Sequence, residues 1–322
     1  MSTAPEPSSS RLSANSTATT SIGPNADAIA IPEASETRID PESEWQRWRE
    51  ARVRSLKAPQ SWLTLTGLHF LADGAHTLGS DPSSDVRIDS PAFPARLGQI
   101  DVAGELIRFT PAASLDAKEA SRVTLHDQPL GMANLRDDRN GKPSVFIAGP
   151  VTLTLVHRNG QAALRVRNDE SPVRRRFESI DAFPYDPKFV VEAALRRAPP
   201  RSTIDITNVT GHVEQQPLAA VLSVTIQGSQ FELSATPGSR PDSLFVVFSD
   251  ATNGGDTYSG GRFLDVDAPT DQGSVVLDFN RAYNPPCAFT AFATCPMPPR
   301  SNRLPFPVKA GERHPPIMRP TE

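Results

Sequence analysis

The chain has 322 residues, with 33 Lys+Arg against 37 Asp+Glu, 38% hydrophobic residues, 32 prolines and two cysteines. A net charge of −4 gives no pull toward nucleic acid or anionic lipid, and two cysteines cannot build a disulfide lattice. The apolar share suffices for a core, while the proline content excludes a protein of long helices.

Residues 1–39 are rich in Ser, Thr, Ala and Pro and lack an apolar period, so they read as a disordered tail. This front end has neither the basic start nor the apolar middle of an export signal, and no run of apolar residues is long enough to span a bilayer. The expectation is a cytoplasmic protein with no membrane span and two free thiols.

A helix is predicted to begin sharply at Asp40, a good N-cap, with Pro41 in the first helical position and Glu42 and Glu44 in the first turn. Basic residues follow toward Lys57, as the helix dipole favours. Trp45, Trp48, Arg52 and Leu56 recur at spacings of three and four and define the face to be covered. Pro59 stops the helix.

Beyond it the signal is β. Ser61 to Leu71 reads as a strand. Val151 to Val166 reads as a hairpin about Asn159-Gly160, pairing Leu155 with Leu164 and Leu153 with Val166. A second hairpin about Gly228-Ser229 pairs Ile226 with Phe231, Val224 with Leu233 and Leu222 with Ala235. Further strand-like runs are 203–209, 243–249, 258–266 and 274–279, while 189–197 reads as either helix or strand. The fold class is therefore mainly β: two packed antiparallel β units, sandwich or barrel-like, with an N-terminal amphipathic helix. The boundaries expected are a first unit with its helix over 40–170, a connecting segment over 171–200 and a second unit over 201–322.

No phosphate loop, dinucleotide fingerprint or nucleophile elbow is present, and neither the six histidines nor the two cysteines fall at zinc-ligand spacing. No cofactor and no metal are expected. The run Thr77 to Ile88 superficially resembles the early strands of a forkhead-associated domain, but Ser80 stands where those domains carry an Arg, and no Ser-x-x-His follows. A turn-rich β connection is the better reading. Arg174, Arg175 and Arg176 form the densest positive run; strand alternation places Arg175 opposite the other two, as an anion clamp or as a solvated strand.

The C-terminal third concentrates acid, amide, phenol, guanidinium and thiol groups on Gly- and Pro-rich turns. The candidate catalytic residues are Asp278, as base or orienter, Tyr283, as a hydrogen-bonding group, and Cys287, as a wall first and a nucleophile second. Arg175, Tyr258, Arg262, Asn280 and Asn284 are the candidate substrate-binding residues. Two readings stand: a pocket for a small molecule, or a polar brace that satisfies buried backbone across an open end.

The chain resembles a family known only as domain of unknown function 1684. The likeness rests on Trp48, Arg52, Ser61-Trp62-Leu63-x-Leu65-x-Gly67-Leu68 and Arg175-x-Phe177. It continues through Thr257-Tyr258-x-x-Gly261-Arg262 and Asp278-x-Asn280-x-Ala282-Tyr283-Asn284-Pro285-x-Cys287-Ala288-Phe289. It closes with Thr294-Cys295-Pro296-x-Pro298-Pro299-x-x-Asn302 and Ala310-Gly311-Glu312. The resemblance implies no activity, cofactor or substrate, but it implies that these residues act together. Many bacterial members look exported or lipid-anchored, and the polar front end here departs from that. The function expected is an enzyme or ligand-handling protein for a small polar or amphipathic molecule. The alternatives are a non-catalytic module binding carbohydrate, lipid or peptide, and a structural component of a biosynthetic assembly.

Overall fold

In a computed structural model of the chain, which describes residues 40–226, 228–269 and 273–315, the first element is helix α1, Pro41–Lys57. The expected disordered tail lies outside the described residues. The cap is as read: the Asp40 carboxylate accepts the Ser43 N–H at 3.1 Å, and Trp45 and Leu56 are buried. Ser61 does not open a strand. Trp62–Thr64 forms a 3-10 turn, and the strand begins only at Leu65.

The mainly β architecture is confirmed. One sheet orders its strands Leu65–Phe70, Gln161–Asn168, Val151–Arg158, Val145–Ala148, Thr124–Leu125, Gln128–Pro129. A second orders Val86–Arg87, Gly74–Gly79, Gly98–Ala103, Leu106–Pro111, Ala133–Leu135. Alternating side chains from both fill one core, and Phe109 meets Phe146 edge-on at 4.9 Å. The hairpin register is the one read from Asn159-Gly160, with Leu155 opposite Leu164 and Leu153 opposite Val166.

The remaining large sheet orders Arg262–Val266, Leu244–Phe248, Ser229–Pro237, Ala220–Ile226, Val190–Arg197, Ser274–Asp278. It curls until its edge strands approach, giving a nearly closed barrel filled by Leu222, Leu233, Val246, Phe248, Leu264, Leu277 and Phe279. Its hairpin corrects the expected register: Ile226 faces Ser229, Val224 faces Phe231 and Leu222 faces Leu233. Gly228, at φ +78°, closes the turn one position later than a Gly-first turn requires. The two-residue offset leaves every side chain on its expected face.

Two further differences concern short segments. Residues 189–197 resolve as the strand Val190–Arg197, entered by a 3-10 turn. Pro172–Arg176 is a helical turn with proline in its first turn, so strand alternation does not govern the three arginines.

Where the two β regions meet, Leu56 and Leu63 pack with Phe177, Ile180 and Phe289. The outer barrel face, with Val247 and Phe263, is covered by the loop carrying Ala293 and Cys295. Among the described residues, no helix is long and apolar enough to cross a membrane.

Candidate functional site

The residues singled out in the C-terminal third divide into three groups. Arg262 opens its barrel strand with its side chain turned inward and is 0% exposed. Its Nη2 meets Asp250 at 2.7 Å and donates to the Val308 carbonyl at 2.9 Å, while Nη1 donates to the Ala310 carbonyl. Asp250 is equally occupied: its other oxygen accepts Thr252 N–H and O–H and the Val308 N–H. Burial pulls the Arg262 guanidinium down, and the Asp250 charge opposes that pull. Its terminal nitrogens are spent on Asp250 and the carbonyls of Val308 and Ala310, and with the side chain fully buried no surface is left for a ligand.

The second group joins helix α1 to the strand end. Asp278 caps the following 3-10 turn through the Asn280 N–H at 3.0 Å and faces Arg281 at 3.2 Å. The Asn280 amide pairs with the Asp186 backbone in both directions at 3.0 Å, as a peptide group pairs in a sheet. The Asn280 backbone carbonyl accepts the Trp45 indole N–H at 2.8 Å. Asn284, fully buried, donates its N–H to Glu312 at 2.7 Å and its side-chain amide to the Arg313 carbonyl. Glu312 in turn holds Arg52 at 3.0 Å, and that guanidinium lies 4.5 Å from the Trp62 ring and 4.8 Å from the Tyr283 ring. Tyr283 donates to Asp265 at 3.1 Å, and burial pushes its phenol up. Gly311, at φ +77°, sits where a Cβ would meet the Ala282 carbonyl oxygen at 2.5 Å, so only glycine permits this closure.

The third group is chemically distinct. Cys287 and Cys295 are both free thiols, Cys295 buried and Cys287 partly exposed. The Cys287 N–H donates to the Cys295 sulfur at 3.1 Å. Interaction with the Cys295 side chain, and more weakly with Tyr258, holds the Cys287 thiol below its ordinary range, against the opposing effect of burial. The cost appears on the partners: Cys295 is pushed up by its bond to Cys287 and Tyr258 by burial.

Arg175 belongs to none of these groups. It is exposed and meets Glu170 at 3.3 Å. Three cavities open elsewhere. One of about 540 Å³ lies beside Arg96 and Gln99, one of about 240 Å³ beside His69 and Arg87, and a cleft of about 360 Å³ lies between His157, Arg158, His212, Thr294 and Pro296. None of the three is lined by Asp278, Tyr283, Cys287, Tyr258 or Arg262. Among the described residues, no group of three or more His, Cys, Asp or Glu side chains is placed to hold a metal ion.

Asp250 and Cys295 were not among the site residues read from the sequence. Cys295 carried a signal in its spacing from Cys287. Asp250 carried none, because its role depends on Val308, which lies 58 residues away.

Residues 175–313 match the family model described as "Protein of unknown function (DUF1684)", and the chain belongs to that family. An uncharacterized protein of Haloarcula marismortui, solved in solution, is 32% identical over 44% of this chain and 78% of its own, with a TM-score of 0.36. Two forkhead-associated domains, one described for phosphothreonine-dependent interactions, are 16% identical over 31% of this chain and 92% and 97% of their own, each with a TM-score of 0.21. No curated protein matches the chain.

Proposed function

We propose that this is a ligand-handling protein, and a candidate enzyme, acting on a small polar molecule at a thiol centre built by Tyr258, Cys287 and Cys295. One observation carries the reading: the partly exposed Cys287 stands against Cys295, whose sulfur accepts its N–H at 3.1 Å, and the Cys295 and Tyr258 side chains favour its thiolate, the nucleophilic form. Buried structural cysteines lack such support. In this reading Cys287 reacts with or grips the ligand, Tyr258 orients it, and the Arg262–Asp250 and Asn284–Glu312 contacts hold the loop in place. Asp278, with one oxygen capping the Asn280 turn and the other facing Arg281, is a positioning residue rather than a base.

The non-catalytic alternative draws on a different observation. Arg262 pairs with Asp250, and Asn280 and Asn284 donate to backbone carbonyls, as a brace does. A thermal-shift screen against polar metabolite classes, run on the wild type, Cys287→Ser and Tyr258→Phe, separates the two. A compound that raises the melting temperature of the wild type and does less for both variants supports the thiol centre. Equal responses in all three proteins, or none in any, favour the brace.

A further inference from the structure

The strand Gln161–Asn168 alternates as its neighbours do: Leu164 and Val166 point into the sandwich core, so Arg165 and Arg167 project from the opposite face. Two same-face neighbours on a strand stand about 7 Å apart, close enough to share one ligand. Both arginines are partly buried, and the Nε of each is enclosed without a hydrogen-bond partner. No hydrogen bond or ion pair reaches either guanidinium among the described residues. An arginine cannot escape such a place by losing its proton: burial, aided by the like charges of Arg158 and Arg167, brings Arg165 down only to about 10.

The acids nearby do not resolve this. Asp138 is committed to Arg158 at 2.8 Å and to the His157 N–H at 2.9 Å. Asp169, the one carboxylate that offsets the Arg167 charge, accepts from the Gln60 N–H at 2.8 Å. Two like charges side by side, each partly buried with its Nε enclosed and no carboxylate on either guanidinium, are unfavourable, and the terminal nitrogens that still reach solvent are free to take an anion.

We propose that Arg165 and Arg167 form a binding site for a small molecule carrying a carboxylate or phosphate group. Either group offers the two oxygens a guanidinium fork grips. Thr154 faces Arg165 and Thr152 faces Arg167 across the ladder, so two hydroxyls share the face. Neither arginine lines the 360 Å³ cleft, whose walls include Arg158 and the residues flanking Cys295, Thr294 and Pro296, so the anion would be held on the sheet face itself. The Cys295 sulfur lies close enough to Arg165 to interact with its charge. The site therefore supplies the ligand class for the thiol centre, yet it stands on the arginines alone.

The test uses the full chain at constant ionic strength, with inorganic phosphate and, separately, succinate replacing chloride. The wild type is expected to gain about 3 °C in melting temperature with at least one anion at saturation. Arg165→Gln combined with Arg167→Gln is expected to lose that gain, and in chloride to melt no lower than the wild type. If the double variant does not fold, Arg165→Lys and Arg167→Lys replace it; each keeps the charge, loses the fork and is expected to shrink the gain by at least about half. No gain in the wild type with either anion overturns the site, as does a gain that survives these changes. The alkylation rate of Cys287 is measured separately on the wild type in chloride, so anion binding and thiol reactivity can fail separately.

Discussion

Arg262 shows what a buried charge requires. Its guanidinium is accepted by one carboxylate and by backbone carbonyls from a segment 46 to 48 residues later, so the ion pair also closes the barrel end. Removing the acid leaves the cation with no countercharge. Asp250→Ala is expected to cost about 3–5 kcal/mol, read as a lower urea midpoint, whereas the paired change Asp250→Leu with Arg262→Met is expected to cost less than the single one. Cys287 sits at the opposite extreme, partly exposed and supported toward its charged form. The sign follows from the donors: a phenol O–H stabilises the thiolate more than the thiol. Tyr258→Phe is therefore expected to move the Cys287 titration upward, and alkylation near neutral pH to slow.

At the scale of elements, helix α1 is a clamp as well as a cover. Trp45 reaches the Asn280 carbonyl, and Arg52 is held between two aromatic rings while meeting Glu312. Arg52→Ala removes the rings' partner and strands a buried carboxylate, so a loss of about 3 kcal/mol is expected in chemical denaturation. Asp40→Ala, which touches only the cap, is expected to cost about 1 kcal/mol. The cap, the helix and the first hairpin were legible because their determinants lie within a few residues of one another: Asp40 with Ser43, and Asn159-Gly160 with the alternation on either side. The second hairpin was legible in its faces but not in its register, since alternation repeats every two residues and a lone Gly228 does not fix the turn position. The inward aim of Arg262 was not legible for a different reason. Nothing local distinguishes an arginine aimed at solvent from one aimed at a carbonyl 46 residues away.

Across the whole molecule, the sandwich and the barrel have separate cores but share the cluster of Leu56, Leu63, Phe177, Ile180 and Phe289. Helix α1, the 3-10 turn at Trp62, the segment after Pro172 and the C-terminal loop all contribute to it. A shared cluster couples the two parts, so the wild type is expected to unfold in one transition by tryptophan fluorescence and by circular dichroism. Phe289→Ala, at a ring 82° to Phe177, is expected to cost about 3 kcal/mol and to separate the two probes. The same loop carries Cys287 two residues before that ring, which ties the thiol centre to the junction of the two β regions.

Whether Cys287 is an activated group decides between a chemical site and a scaffold. The direct measurement is its rate of alkylation across pH in the folded wild type, followed peptide by peptide so that Cys295 is read separately. The arrangement predicts that Cys287 titrates below a free cysteine control and reacts well before Cys295. A Cys287 that titrates with or above the control, or that stays unlabelled until the protein unfolds, contradicts it.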